Sequence, residues 1–245
     1  MSERLSVLKI GGSVLRDEGS YAAAARFLQT HLALHPDARL VVIVSAQCGT
    51  TDSLLAEAQI ITNDPCRNAL DLLWSTGELR SVAMLALHLQ KIGVSAAPFN
   101  VHQTGLVADR AAGVTVRPQR LLEALAHARI VIVPGFLGVS AGGTITSLGR
   151  GGSDLTAVLL AAAIRANTCE LIKDVPGYFT ADDALRMADA GCDLVQRAAL
   201  AAAAQADLQL VIRSMDFSAP VTRVHSRSNH GVRHEDDSRG TAVRA

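Results

Sequence analysis

Aromatic side chains are scarce in this chain, at 3% of 245 residues, with one tryptophan among them. A core of useful size must therefore be built from aliphatic side chains. A charge surplus is missing too: 23 lysines and arginines balance 23 aspartates and glutamates. That balance argues against generic binding to nucleic acid or to anionic membranes. Cysteine is sparse. Cys48, Cys66, Cys169 and Cys192 form no CxxC pair and no zinc-ligand spacing. They are read as reduced thiols rather than a disulfide framework. Long apolar runs are absent, and the nearest, Leu155–Ile164, is too short to span a bilayer. The opening MSERLSVLKI lacks a signal-peptide pattern, so the cytoplasm is the expected location.

What is present reads as alternating strands and helices. Leu5–Ile10 is a short apolar run that ends at Gly11-Gly12, as expected for a buried strand feeding a tight turn. Tyr21–Leu34 is alanine-rich and helical. Leu40–Ser45 is a continuous β-branched run suited to a central parallel strand. Thr51 or Asp52 is expected to cap the helix that follows. The spacing of Leu79, Val82, Leu85, Leu89 and Ile92 predicts a helix over Gly77–Ile92. Further strands are expected at Val94–Phe99, Ile130–Val133, Cys169–Ile172 and Leu208–Ile212, the last of the series. Helices are expected at Gln119–Ala128 and Asp154–Arg165, and two more flank Gly191. The order predicts an α/β fold: a three-layer α/β/α sandwich with a mainly parallel central sheet. Residues 1–224 read as one catalytic domain. Residues 225–245 turn polar and read as a disordered tail. The tail histidines suggest metal binding only by composition, and a solvated tail is the favoured reading.

Three glycine-rich turns follow predicted strands: KIGGS at Lys9–Ser13, PGFLG at Pro134–Gly138, and SLGRGGSD at Ser147–Asp154. Ligands of parallel sheets bind at the carboxyl ends of the strands. Glycines let backbone N–H groups approach phosphate oxygens, and a following helix N-terminus adds positive potential. Lys9 stands where it could bridge phosphates. Arg150, flanked by Gly149 and Gly151, offers a planar guanidinium for a carboxylate or phosphate. Ser153 and Asp154 open a helix that either could cap. Taken singly, each has a plain structural reading: a turn, a strand-end charge, a helix cap. The P-loop pattern GxxxxGK[ST] is absent, and Gly149, Gly151 and Gly152 do not make GxGxxG.

The joint order of these segments resembles the amino acid kinase family, and within it the aspartokinases. Lys9-Ile10-Gly11-Gly12-Ser13 is similar to the family's opening Lys-Phe-Gly-Gly segment. Val44–Asp52 resembles a Ser-Ala…Thr-Asp loop, Gly77-Glu78 a Gly-Glu helix start, and Gly135–Gly138 a Gly-Phe-Gly loop. Leu148–Asp154 carries the Leu-Gly-Arg-Gly-Gly-Ser-Asp signature whole, and Asp174–Asp182 resembles an Asp-Val…Thr-Ala-Asp segment.

The resemblance implies an ATP-dependent kinase that phosphorylates the side-chain carboxylate of an amino acid, aspartate first, to an acyl phosphate. It implies that Lys9, Gly11 and Gly12 contact the transferring phosphoryl group, with Asp154 orienting the basic groups. Ser45, Thr51, Glu78, Phe136, Arg150 and Ser153 would line the acceptor side, Glu78 meeting a substrate amino group. For Glu78 a first-turn helix charge is the plain alternative. Lys173, Asp174, Tyr178 and Phe179 would border the nucleotide, with Mg²⁺ on its phosphates and no protein-built metal site. The partner is a small acid, with no nucleic acid and no membrane, in a homodimer. A carboxylate acceptor has a pKa near 4 and is already ionised, so no general base is needed. Catalysis would rest on positioning and charge neutralisation.

Three departures accompany the resemblance. Lys173-Asp174 stands where Thr-Asp is usual. The family's Gly-Ala-Lys-Val-Leu-His-Pro segment becomes GCDLVQR at Gly191–Arg197, so Asp193 replaces a nucleotide-side lysine. Lys173 is expected to supply that charge from the neighbouring strand end. The chain also stops before the regulatory domains of many aspartokinases, so control through them is not expected. Two other readings stay open: a kinase of another small acid (other carboxylate, phosphonate, carbamate or nucleotide monophosphate), and a nucleotide-binding homologue without turnover.

Overall fold

The computed structural model describes residues 4–109, 113–149, 151–175, 194–224 and 233–235. Its centre is an eight-stranded sheet. The strands are β1 (Arg4–Ile10), β2 (Ala38–Val44), β3 (Ala96–Pro98), β6 (Ile130–Pro134), β9 (Thr168–Ile172), β10 (Leu210–Arg213), β11 (Val221–Val224) and β12 (Arg233–Glu235). Their spatial order is β12-β11-β10-β9-β1-β2-β6-β3. Six of them, from β10 to β3, run parallel, while β11 and β12 return antiparallel. β1 lies in the middle, in register with β2 through Lys9↔Ile43 and with β9 through Lys9↔Leu171. Strands buried on both faces read as unbroken aliphatic runs, which is why β2 and β6 stand out in the sequence.

Helices cover both faces. On one side α1 (Glu18–Leu34) and α3 (Arg67–Lys91) pack Tyr21, Phe27, Leu28, Val82, Leu85 and Leu89 onto Leu8, Ile10, Val42 and Ile132. On the other, α4 (Gln119–His127), α5 (Gly152–Ala163) and α6 (Arg197–Gln205) pack Leu121, Val158, Ala161 and Ala199 onto Val7, Ile43, Val133 and Leu171. The expected three-layer α/β/α sandwich is therefore present. Among the described residues, no helix is long and apolar enough to cross a membrane.

The structure corrects several boundaries. A second sheet, order β5-β4-β7-β8, was not anticipated. Its strands β4 (Leu106–Asp109), β5 (Gly113–Val116), β7 (Leu137–Val139) and β8 (Ile145–Ser147) have three or four residues each, too short to show a period. β3 is shorter than its apolar run. β11 and β12 follow the strand read as last, β12 from within the polar stretch. The helix expected to start at Gly77 starts ten residues earlier, placing Gly77 and Glu78 in mid-helix. Gly77 is there because α3 crosses α2 (Thr50–Ile61) closely: a Cβ would lie 2.9 Å from Thr50 Cγ2. Thr51 and Asp52 are first-turn residues of α2, whose cap is Gly49 at φ +79°. Likewise Ser153 and Asp154 lie within the first turn of α5, capped by Gly151 at φ +72°. Glycine accepts that left-handed backbone without the Cβ clash. His88 is half-buried and stacks on Tyr21. Of the two helices expected around Gly191, the second is α6, while the first lies within residues 176–193, outside the described residues.

Candidate active site

The carboxyl ends of β1, β2, β6 and β9 open on one cavity of about 420 Å³. Its lining includes Lys9, Gly12, Ser45, Thr51, Glu78, Phe136, Ser153, Asp154 and Lys173. These come from six separate segments, and the parallel sheet brings their ends to one edge. A larger cleft of about 900 Å³ runs between α3 and β3. Among the described residues no titratable side chain lines it, so the smaller cavity is the candidate for chemistry.

At the cavity floor Asp154 meets two lysines. Lys9 Nζ lies 2.9 Å from Asp154 Oδ1, and Lys173 Nζ lies 2.9 Å from Oδ2 and 3.2 Å from Oδ1. The three side chains are only 8%, 5% and 11% exposed for Lys9, Asp154 and Lys173. Burial alone would raise the Asp154 carboxyl, but Lys9 and Lys173 outweigh it and hold it below the usual carboxylate range. Burial and the Lys9 charge push Lys173 below the ordinary lysine value, against the pull of Asp154. Two lysines on one carboxylate leave a net positive charge, the setting an anionic phosphoryl group requires. The glycines before α1 make room for it. A Cβ on Gly12 would stand 2.8 Å from the Ala46 carbonyl, and one on Gly11 would stand 3.2 Å from Lys9 Nζ.

Glu78 enters the same cavity from α3. It is 4% exposed. Its carboxyl accepts from the Ala46 N–H, and Oε2 has no hydrogen-bond partner among the described residues. Burial pushes it up to about 8, opposed by the Ala46 N–H and Lys9. The first-turn reading of Glu78 is therefore replaced by a buried mid-helix carboxyl. Phe136, in the turn between β6 and β7, closes the wall at φ +68°. Such a backbone costs a bulky residue about 1–2 kcal/mol and persists where neighbours enforce it. Gly152 is one neighbour: a Cβ there would sit 3.0 Å from Phe136 Cδ2. Gly135 leaves Ser153 its place, since a Cβ would approach Ser153 Oγ to 2.6 Å.

Asp174 stands at the rim, accepting from Ser13 Oγ at 3.1 Å and Arg16 Nη2 at 3.2 Å. Arg150, Tyr178, Phe179 and Asp193 lie outside the described residues. Gln196 was missed. It caps α6, lines the cavity, and presses on Gly151, where a Cβ would fall 2.0 Å from its Cγ. Its signal in the sequence was position alone, inside a segment read as a departure. Among the described residues no group of three or more His, Cys, Asp or Glu could hold a metal ion.

At 41% identity over 183 residues the chain is similar to the aspartokinase of Thermus thermophilus, over 73% of this chain and 44% of that one. It thus spans less than half the length of that relative. In structure it is similar to the aspartate kinase from Synechocystis, with TM-score 0.77 and 34% identity over 91% of this chain and 40% of that one. A second neighbour is aspartokinase III of E. coli in complex with aspartate and ADP, at TM-score 0.70 and 25% identity, covering 86% and 62%. The profile of the amino acid kinase family matches residues 4–214, every strand of the central sheet from β1 to β10 included, and the chain belongs to that family.

Proposed function

We propose that this chain transfers the terminal phosphoryl group of ATP to the side-chain carboxylate of an amino acid, aspartate first, giving an acyl phosphate. One observation carries the reading: the Lys9–Asp154–Lys173 group and the unpaired Glu78 oxygen face one small cavity. The complex of the E. coli neighbour with aspartate and ADP supports the choice of both substrates.

The chain's residues divide the work. Lys9 and Lys173 offset the charge that spreads over the phosphoryl oxygens, and Asp154 holds both ammonium groups before substrate arrives. Gly11 and Gly12 admit the phosphate. Glu78 pairs with the substrate ammonium, and Arg150 with its α-carboxylate. Ser45, Thr51, Phe136 and Ser153 shape the wall between them. The acceptor carboxylate is ionised, so no side chain takes a proton from it. Asp174 borders the nucleotide with Tyr178 and Phe179. Asp154 and Asp174 are both engaged by protein partners. Mg²⁺ would therefore ride on the phosphate oxygens and neutralise their charge.

Trapping with hydroxylamine tests this. Protein, ATP, Mg²⁺ and hydroxylamine are incubated with a panel of acids. Aspartyl hydroxamate formed in step with ADP is expected. Nucleotide binding with no acid-dependent ADP release, or a hydroxamate from another acid alone, overturns it.

A further inference from the structure

α3 carries more toward the acceptor wall than Glu78. Arg67, Asp71, Trp74 and Glu78 follow at four-, three- and four-residue steps and so share one face of the helix. Glu78 enters the cavity; the other three stand behind its walls. Trp74 touches both walls. Its indole Nε1 donates to the Thr51 carbonyl at 3.2 Å. Its ring meets Phe136 edge-on, with centroids 5.7 Å apart. Phe136 is thus held between Trp74 and Gly152.

Arg67 seats the tryptophan. Its guanidinium lies 5.4 Å from the Trp74 ring centroid. Its Nε is 3.1 Å from Asp71 Oδ1, and its Nη2 donates to Ser147 Oγ, where the glycine-rich loop begins. Asp71 is fully buried, with Arg67 as the ion partner that faces it.

We propose that Trp74, seated by Arg67 and Asp71, sets the length of acid the cavity admits. It fixes the separation of the Thr51 and Phe136 walls, and so favours a four-carbon acidic amino acid over its five-carbon homologue. The proposal rests on the carboxylate-kinase reading. One methylene is worth about 10- to 200-fold to a pocket whose walls hold their place. Truncating Trp74 leaves space into which Phe136 relaxes, and the discrimination falls.

The test compares kcat/KM for aspartate and glutamate in wild type, Trp74→Ala, Trp74→Phe and Arg67→Ala, with the KM for ATP as control. Trp74→Ala is expected to lower the aspartate-to-glutamate ratio at least about tenfold, through the acceptor KM, with the ATP KM unchanged within about twofold. Trp74→Phe keeps an aromatic edge, and Arg67→Ala keeps the indole; both are expected to shift the ratio the same way by less. A ratio within twofold of wild type in all folded variants, or an ATP KM that rises in step, overturns the proposal. If wild type phosphorylates neither acid, the function reading fails, and length selection is read instead from calorimetric binding of malonate, succinate, glutarate and adipate. A preferred length in wild type that flattens in Trp74→Ala then supports the role of Trp74. The same profile in both proteins overturns it.

Discussion

At the floor of the cavity a buried carboxylate, Asp154, has both oxygens occupied by lysines; at its far wall another buried carboxyl, Glu78, has an oxygen with no hydrogen-bond partner among the described residues. The two groups are of one chemical type and similar burial, yet they are pushed in opposite directions. Lys9 and Lys173 hold Asp154 low, whereas burial pushes Glu78 up to about 8. Under the proposed function, the difference matches a different task at each end. A group that organises charges around a reacting phosphoryl must be ionised and fixed before substrate binds. A group that waits for a cation from the substrate stays buried and underused until the cation arrives.

Breaking the paired end should cost most. Asp154→Asn frees both lysines, and kcat in the hydroxamate assay is expected to fall about a thousandfold, by analogy with loss of a preorganised electrostatic contact. Thermal or urea unfolding should show a loss of about 3–5 kcal/mol, because two buried ammonium groups are left without their counter-ion. A kcat within tenfold of wild type would show that the floor is structural. Lys173→Ala leaves Lys9 and Asp154 paired, so about a hundredfold loss is expected, seen in kcat/KM for ATP. An unchanged apparent ATP affinity and kcat would remove Lys173 from the nucleotide side.

The unpaired end should respond more mildly, and with pH. Glu78→Gln is expected to raise the acceptor KM about tenfold and leave the ATP KM alone. Below pH 8 the free Glu78 holds its proton and must lose it to pair with an ammonium. The wild-type acceptor KM should therefore fall as pH rises from 6 toward 8, and Glu78→Gln should flatten that slope. Stability runs the other way. The folded value lies above the unfolded one, so the contribution of Glu78 is full below the ordinary Glu value and is lost as pH rises through about 8. Melting temperatures of wild type and Glu78→Gln should diverge across that window in favour of the variant. Parallel curves would place the titration elsewhere.

Much of this was legible in the residues, for a physical reason. β2 and β6 are buried on both faces and read as aliphatic runs, and Lys9, Ser153 and Asp154 stand beside glycine-rich turns whose chemistry is local. What escaped is set by contacts between distant segments. Gly77 looks like a helix start until α2 is seen against it. Gln196 and Trp74 matter through Gly151, Thr51 and Phe136, none of them near in sequence. The helix caps went wrong because Gly49 and Gly151, in left-handed backbone, take the cap positions expected of Thr51 or Asp52 and of Ser153 or Asp154.

The place of β1 carries a last consequence, in the order of assembly. β1 precedes the other strands of its sheet in the chain yet lies in the sheet's centre, and its second neighbour is β9, at residues 168–172. At about 5–20 residues per second, translation needs on the order of ten seconds to deliver that partner. Throughout that interval β1 presents an open aliphatic edge, the kind of edge that pairs with other chains. Asp154 and Lys173, on either side of β9, arrive with it. Closure of that edge and completion of the cavity floor are thus one late event in the life of the nascent chain.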